Sequence, residues 1–219
     1  MELLIGANLG YGATPVLQGV SLHVLPGQRV ALLGRSGAGK STLLAAAYQA
    51  LVAQKRRVAL VPQDHALVPQ LSALRNVLMG RLDDHGALYN LATLIHPRRA
   101  DRDAALAVLE DVGLTAEANR AVEALSGGQK QRVALARALY RGGEVLIGDE
   151  PLSAVDPRQA EALAALLQEA FPTAILALHD VGMALAWATR VIGLKDGRIE
   201  LDVSVDMLDR ARIELLYAH

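Results

Sequence analysis

Residues 34–41 constrain this chain more than any other part of its sequence. They read GRSGAGKS and match the pattern G-x-x-x-x-G-K-S. The apolar run 30–33 comes directly before them, and an alanine-rich segment with helical character follows. A glycine-rich turn between a strand and a helix lets backbone N–H groups converge on phosphate oxygens at the positive end of the helix dipole. The sequence therefore predicts a phosphate-binding loop, in which Lys40 contacts the outer phosphates and the Ser41 hydroxyl binds Mg²⁺.

The rest of the chain alternates short apolar runs with helical patterns, which indicates an α/β fold with a mostly parallel sheet. The runs interpreted as buried strands are 30–33, 58–61, 145–147 and 174–178. Residues 191–194 and 199–201 flank Asp196-Gly197, which predicts a hairpin. Residues 21–25, just before Pro26-Gly27, predict an antiparallel flap beside the main sheet.

Helix signals fill the intervals between these runs. Asp156 followed by Pro157 predicts a helix start, with the aspartate as cap and the proline at the first helical position. Residues 104–112 have helical spacing and end at Gly113, a residue type that often follows a helix. Because no convincing strand occurs between Ser72 and Glu123, we interpret residues 72–140 as a helical subdomain inserted into a single domain of residues 1–219.

Two adjacent carboxylates follow the run 145–147, in the sequence VLIGDE. Unpaired buried carboxylates are unfavourable, so a buried strand that ends in two of them suggests chemistry. Asp149 is suited to bind Mg²⁺ through water, and Glu150 is suited to polarise a water that attacks the γ-phosphate. The motif is weak alone and becomes strong downstream of a phosphate-binding loop.

His179 and Gln63 also follow predicted strands. A single histidine after a strand is more often structural than catalytic. If the strands are parallel, however, His179 emerges at the same sheet edge as Lys40 and Glu150, where open α/β sheets bind ligands. Gln63 would emerge there too, and its amide could contact Mg²⁺ or the attacking water.

The segment LSGGQ, residues 125–129, lies at the start of another predicted helix. Ser126 and Gln129 match a capping box, which is the structural explanation. A cap does not require two glycines, however, and glycine is unfavourable inside a helix by about 1 kcal/mol relative to alanine. The alternative is that the bare backbone at Gly127 and Gly128 binds a phosphate.

These motifs in this order, together with the segment SAVD at 153–156, resemble the ATP-binding subunits of ABC transporters over essentially the whole chain. The resemblance implies an α/β P-loop NTPase with a RecA-like core, an antiparallel β subdomain and an inserted helical subdomain. It implies an ATPase that uses ATP and Mg²⁺. The sequence departs from the family pattern at Gly148, where a larger apolar residue is usual, and at Val155, where leucine is usual.

The resemblance also assigns roles to individual positions. The catalytic residues would be Glu150, His179 and Gln63, and the Mg²⁺ ligands Ser41, Gln63 and Asp149. The ATP-binding residues would be Tyr11, which stacks on adenine, and Gly34, Arg35, Ser36, Gly37, Ala38, Gly39, Lys40, Ser41 and Thr42. The signature residues Leu125, Ser126, Gly127, Gly128 and Gln129 would act on the ATP of a partner chain in a head-to-tail homodimer. Ser153, Ala154, Val155 and Asp156 would form the D-loop, which communicates between subunits.

Composition excludes several other classes of protein. The absence of cysteine excludes disulfides, thiolate metal sites and cysteine nucleophiles. A formal net charge of -1 argues against nucleic acid as a partner. No apolar run approaches the roughly 20 residues that span a bilayer, and no signal peptide is recognised. The resemblance instead implies a peripheral position on the cytoplasmic face of the cell membrane, through permease subunits.

The substrate and the wider role are less constrained. Residues 71–80 (LSALRNVLMG) and 209–217 (DRARIELLY) resemble the phosphonate-importer ATPases, which implies a solute-binding protein in the same system. Import or export of another small solute stays open. The alternatives from other classes are ABC ATPases of DNA repair, which have a long coiled-coil insertion, ribosomal ABC ATPases, which have two cassettes, and a regulatory module without turnover.

Overall fold

A computed structural model describes residues 1–11 and 14–217, with the side chains of all of these except residues 11, 94, 210 and 211. The strands are β1 (Glu2–Tyr11), β2 (Thr14–His23), β3 (Arg29–Leu33), β4 (Val58–Val61), β5 (Val145–Asp149), β6 (Ala174–Ala177), β7 (Arg190–Lys195) and β8 (Arg198–Ser204). The α-helices are α1 (Lys40–Ala53), α2 (Ala73–Leu78), α3 (Ala87–Ile95), α4 (Arg99–Asp111), α5 (Gly127–Arg141), α6 (Pro157–Ala170), α7 (Val181–Trp187) and α8 (Arg210–Tyr217). Short 3₁₀ helices cover Met79–Asp84, Val122–Ala124 and Val205–Met207.

Backbone contacts divide the chain into two compact units. The first comprises Met1–Leu60, Gly143–Pro151 and Phe171–His219, and the second comprises Val61–Gly142 and Leu152–Ala170.

The first unit is built around a six-stranded sheet with the strand order β4-β5-β6-β3-β7-β8. β6 lies between β5 and β3 and is parallel to both, and β3 is also parallel to β7. Their interior residues are buried without alternation, since a parallel sheet is covered on both faces. The apolar side of α1, including Leu43, Ala47 and Leu51, belongs to the same core.

Two antiparallel features complete the first unit, and both are confirmed predictions. β7 and β8 form a hairpin whose turn residues Asp196 and Gly197 have φ of 47° and 73°. These are the left-handed conformations that a tight hairpin turn requires, and Asp-Gly supplies them. β1 and β2 pair antiparallel in a separate two-stranded sheet, although β2 ends at His23 and leaves Leu25 exposed beyond it.

Helices dominate the second unit. α5 contacts α2, α4 and the 3₁₀ helix Met79–Asp84. α4 ends as predicted, with Gly113 left-handed at φ 68° just beyond it, and Arg132 of α5 donates hydrogen bonds to the carbonyls of Val112 and Gly113 at 2.9 and 3.0 Å. α6 begins as predicted, because the Asp156 carboxylate accepts a hydrogen bond from the backbone N–H of Gln159. The only strand-like contact described between residues 72 and 123 is one isolated bridge between Ser72 and Ala121.

Glycines mark two places where the first unit is tightly packed. A Cβ at Gly193 would lie 2.5 Å from a methyl carbon of Leu216, so α8 packs directly on β7 there. A Cβ at Gly148 would lie 2.8 Å from Leu176 Cδ2 and 3.1 Å from Pro151 Cγ. Among the described helices, none is both long and apolar enough to cross a bilayer.

Candidate functional site

The loop between β3 and α1 has the backbone that its sequence predicts. Gly34 and Gly39 have φ of 146° and 99°, conformations that side-chain-bearing residues rarely adopt. Neither position has room for a side chain, because a Cβ would lie 2.5 Å from the Leu194 carbonyl oxygen at Gly34 and 2.7 Å from a Leu17 methyl carbon at Gly39. The loop is therefore held in a single path by β7 on one side and β2 on the other.

The first turn of α1 is suited to an anion. Its N-cap is Gly39, which offers no side-chain acceptor, and the first turn contains no acidic residue. The first N–H groups of a helix lack partners within the helix and carry the positive end of its dipole. The helix begins at Lys40 and runs for 14 residues, so a phosphate at its N-terminus would be favourable.

Lys40 folds over the loop that precedes it. Its ammonium donates hydrogen bonds to the carbonyls of Gly34 and Arg35 at 2.7 and 3.1 Å. These bonds hold the charged end of the side chain beside the loop. An ammonium has three donors, so the side chain can add an anion contact without losing either bond.

Three strand ends bring the other candidate residues to the same edge of the sheet. Ala177 of β6 is level with Leu32 of β3 on one side and with Asp149 of β5 on the other. Since the strands are parallel, the phosphate-binding loop, Asp149-Glu150 and His179 all follow this edge. His179 is exposed, and Asp180 after it caps α7 by accepting a hydrogen bond from the Met183 N–H at 2.7 Å.

Glu150 has an unusual backbone. Its φ is 51°, in the left-handed region, and its N–H donates to the Ala177 carbonyl at 3.0 Å. Such a conformation costs about 1–3 kcal/mol in a non-glycine residue and persists only where the surroundings enforce it. The hydrogen bond to β6 therefore fixes the direction in which the chain leaves β5 at this carboxylate.

The donor set at the sheet edge fits Mg²⁺. Asp149 is half-buried at the end of β5 and Ser41 lies exposed in the first turn of α1. Mg²⁺ takes oxygen ligands and is commonly held by one or two carboxylates, with substrate phosphates and waters completing the shell. The described residues contain no cluster of three or more histidine, cysteine or carboxylate side chains that would favour a dedicated protein cage.

Gln63 lies in the second unit, exposed, two residues after β4. His65 and Ala66, which follow it, are left-handed with φ of 62° and 45°. Arg137 of α5 donates hydrogen bonds to both of their carbonyls. Burial lowers the pKa of His65 despite the opposing effect of Asp64, and burial also lowers the pKa of Arg137. The role of Gln63 stays a prediction.

The segment LSGGQ starts α5 with the predicted capping box. The Ser126 N–H donates to Gln129 Oε1 at 2.9 Å, and the Gln129 N–H donates to Ser126 Oγ at 3.3 Å. The two glycines differ in their surroundings. A Cβ at Gly127 would meet nothing within 4 Å, whereas one at Gly128 would lie 2.7 Å from the Ala154 carbonyl oxygen. Gly128 is thus required inside its own chain, and Gly127 is the glycine that is free to face a ligand.

A hydrogen bond joins the segment 153–156 to α5. The Ala154 N–H donates a hydrogen bond to Gln131 Oε1 at 2.6 Å, and only 2% of Gln131 is exposed. Ser153, Ala154 and Asp156 are exposed, and Val155 is half-buried. Gln131 and Arg137 are not among the residues that the sequence predicts to act in the site. The available signal for Gln131 was its polar side chain on a helix in which Val133 to Ala136 are buried.

The side chain of Tyr11, the predicted adenine-stacking residue, lies outside the described part of the chain.

Comparison with known proteins identifies a family and relatives. A family model described as ABC transporter matches residues 17–153. The phosphonates import ATP-binding protein PhnC of Pseudomonas putida is 39% identical over 242 residues, which cover 99% of this chain and 89% of the relative. The PhnC of Anaeromyxobacter dehalogenans is 39% identical over 223 residues. That match covers 91% of this chain and 44% of the relative, so the chain spans less than half of this second protein.

Solved structures point to the same family. The dimeric structure of MJ0796, a bacterial ABC transporter cassette, has a TM-score of 0.79 at 28% identity and covers 93% of this chain and 98% of that one. A dimeric post-hydrolysis state of the same cassette, bound to ADP and Pi, has a TM-score of 0.76 at 27% identity with the same coverage. Sequence and fold comparisons therefore agree with the loop geometry described above.

Proposed function

Because the chain belongs to the ABC transporter family of ATPases, we propose that it powers import of a phosphonate or a related small oxyanion. The observation that carries the proposal is that the parallel strands β3, β5 and β6 end side by side. A phosphate-binding loop, two carboxylates and a histidine therefore follow the same edge of the sheet. The names of the relatives in Pseudomonas putida and Anaeromyxobacter dehalogenans support phosphonate as the solute.

ATP binding would begin at the phosphate-binding loop. The N–H groups at the start of α1 and the Lys40 ammonium would hold the β- and γ-phosphates. Ser41 and Asp149, with Gln63 as a third predicted ligand, would hold Mg²⁺, which when bound neutralises negative charge on the phosphates. Tyr11 would stack on the adenine.

Hydrolysis would use the Glu150 carboxylate, which follows β5. Glu150 accepts a proton from a water whose oxygen forms a bond to the γ-phosphorus, and the bond from that phosphorus to the leaving oxygen of ADP breaks. His179, at the same edge, would donate a hydrogen bond to the γ-phosphate, and Gln63 would orient the water. Because its hydrogen bond to the Ala177 carbonyl holds the Glu150 backbone, the carboxylate would require little reorganisation during the reaction.

The signature would serve the ATP of a second copy. Ser126 and Gly127 are exposed at the N-terminus of a 15-residue helix, where an anion is favourable. A two-fold, head-to-tail pairing would produce two equivalent sites. Residues 153–156, held to the same helix by Gln131, would carry the state of one site to the other.

Residues 1–219 would act as one ATP-binding domain in which residues 72–140 form the helical subdomain. The domain would sit on the cytoplasmic face of the cell membrane, attached to permease subunits, and a solute-binding protein would deliver the solute to them.

Growth on defined phosphorus sources tests this function. A strain that lacks this gene should fail to grow on methylphosphonate as sole phosphorus source and should grow normally on inorganic phosphate. The wild-type gene should restore growth and Glu150→Gln should not. Normal growth of the deletion strain on methylphosphonate contradicts the proposed solute, and a defect confined to phosphite reassigns it.

A further inference from the structure

The loop that follows Gln63 adopts a conformation that its own residues do not favour. His65 and Ala66 are consecutive left-handed residues with φ of 62° and 45°, and neither is glycine. The Asp64 carboxylate accepts a hydrogen bond from the Ala66 N–H at 3.2 Å, which is a local contribution only. Two strained residues in succession require an external contact that holds them.

Arg137 supplies that contact from the C-terminal half of α5. Its Nη2 donates to the His65 carbonyl at 2.6 Å and its Nη1 donates to the Ala66 carbonyl at 2.5 Å. The planar guanidinium thus spans two successive carbonyls, a geometry that the single ammonium of lysine cannot reproduce. Burial of this charge is unfavourable unless its donors are occupied, so the two bonds stabilise the loop and the arginine together.

The position of Arg137 is itself fixed. A Cβ at Gly80 would lie 2.6 Å from the Arg137 carbonyl oxygen and 3.3 Å from its Cγ, so the chain before α3 packs directly on this residue. Asn76, which is fully buried, holds the far end of the loop by accepting from the Val68 N–H at 2.8 Å and donating to the Val68 and Leu71 carbonyls. The loop is therefore fastened at two points, and Arg137 is the one nearer Gln63.

We propose that Arg137 is a positioning residue that locks the Gln63 loop to α5, so that Gln63 and the signature at the start of α5 move as one body. The inference rests on the proposed function, because only that function gives Gln63 and the signature their roles in ATP turnover. A displacement of the loop would then move Ser126 and Gly127 without any change inside the helix.

Arg137→Met tests the lock, with Arg141→Met as its matched control. Both remove a guanidinium from α5, but Arg141 pairs with Asp83 and Asp84. Amide hydrogen exchange of residues 63–68 should accelerate roughly tenfold or more in Arg137→Met, because two charge-assisted hydrogen bonds are lost. It should stay at the wild-type rate in Arg141→Met.

Kinetics should separate positioning from ATP binding. We expect kcat for ATP to fall at least about tenfold in Arg137→Met, while the Kd for ATP stays within about twofold, since small displacements of catalytic groups are costly. Arg137→Lys, which keeps the positive charge but not the planar guanidinium, should give intermediate exchange and kcat and also serves if Arg137→Met does not fold. Wild-type exchange and kcat in Arg137→Lys, or in a folded Arg137→Met, overturn the lock. A wild-type chain without ATP turnover contradicts the proposed function instead.

Discussion

Gly148 lies within β5, next to the two carboxylates of the site, and has no side chain. The ABC resemblance predicts a larger apolar residue there, and the structure explains the departure. Leu176 of the neighbouring strand β6 is almost fully buried and occupies the space in which a Cβ at position 148 would lie. Gly148 and Leu176 are therefore one packing unit that spans two strands.

Gly148→Val should destabilise the protein, by about 1–3 kcal/mol as is typical of an overpacked core. Leu176→Ala alone should cost about 2–5 kcal/mol through the cavity that it leaves. Combined, the two changes should destabilise less than their sum by about 0.5–3 kcal/mol. Urea denaturation of the four proteins measures this coupling. Gly148→Val with Leu22→Ala, which lies outside the central sheet, should be additive, and additivity in both pairs contradicts the packing explanation.

Glu150 and Lys40 should fail in different ways when each is changed. Glu150→Gln removes the proton acceptor and keeps the size of the side chain, so ATP hydrolysis should fall by at least about 100-fold while ATP binding is retained. Lys40→Ala removes a charge that contacts the phosphates, so the Kd for ATP should rise. Equilibrium binding of a fluorescent ATP analogue and steady-state turnover distinguish the two. Wild-type turnover in Glu150→Gln would show that Glu150 is not the proton acceptor.

At the scale of elements, local patterns in the sequence predict most of the helices and strands. The buried strands, the β7–β8 hairpin, the capping box of Ser126 and the end of α4 at Gly113 each depend on neighbouring residues, and all are confirmed. The P-loop NTPase fold is confirmed by the family match and the structural neighbours. The contacts of Gln131 with Ala154 and of Arg137 with the Gln63 loop join residues 23 and more than 70 positions apart. No local pattern encodes such pairings.

Gln131→Met should loosen residues 153–156 without unfolding α5. Methionine is close in size to glutamine but offers the Ala154 N–H no comparable acceptor, so we expect a loss of about 1–2 kcal/mol. Thermal denaturation measures the stability, and hydrogen exchange at residues 152–156 locates the change. Gln168→Met, at an exposed position of α6, is the control. Equal effects of the two substitutions would show that the Gln131 hydrogen bond contributes nothing particular.

At the scale of the whole molecule, a substitution at Ser126 can distinguish between two explanations of the signature. It caps α5, and under the proposed function it also faces the γ-phosphate of a second copy. Aspartate is as good an N-cap as serine, but its charge would repel a phosphate. Ser126→Asp should therefore keep the melting temperature of the wild type and lose ATP turnover. A cap with no other role predicts unchanged turnover.

Mixing two inactive variants tests whether the site is shared between copies. Lys40→Ala impairs the phosphate-binding loop and Ser126→Asp impairs the signature, so neither homodimer has an intact site. In a head-to-tail dimer that contains one of each, the loop of the Ser126→Asp chain meets the signature of the Lys40→Ala chain, and one site is complete. Random mixing should then restore up to about a quarter of the wild-type ATPase rate. If loop and signature of the same chain act together, no mixture recovers activity, and the head-to-tail arrangement is wrong.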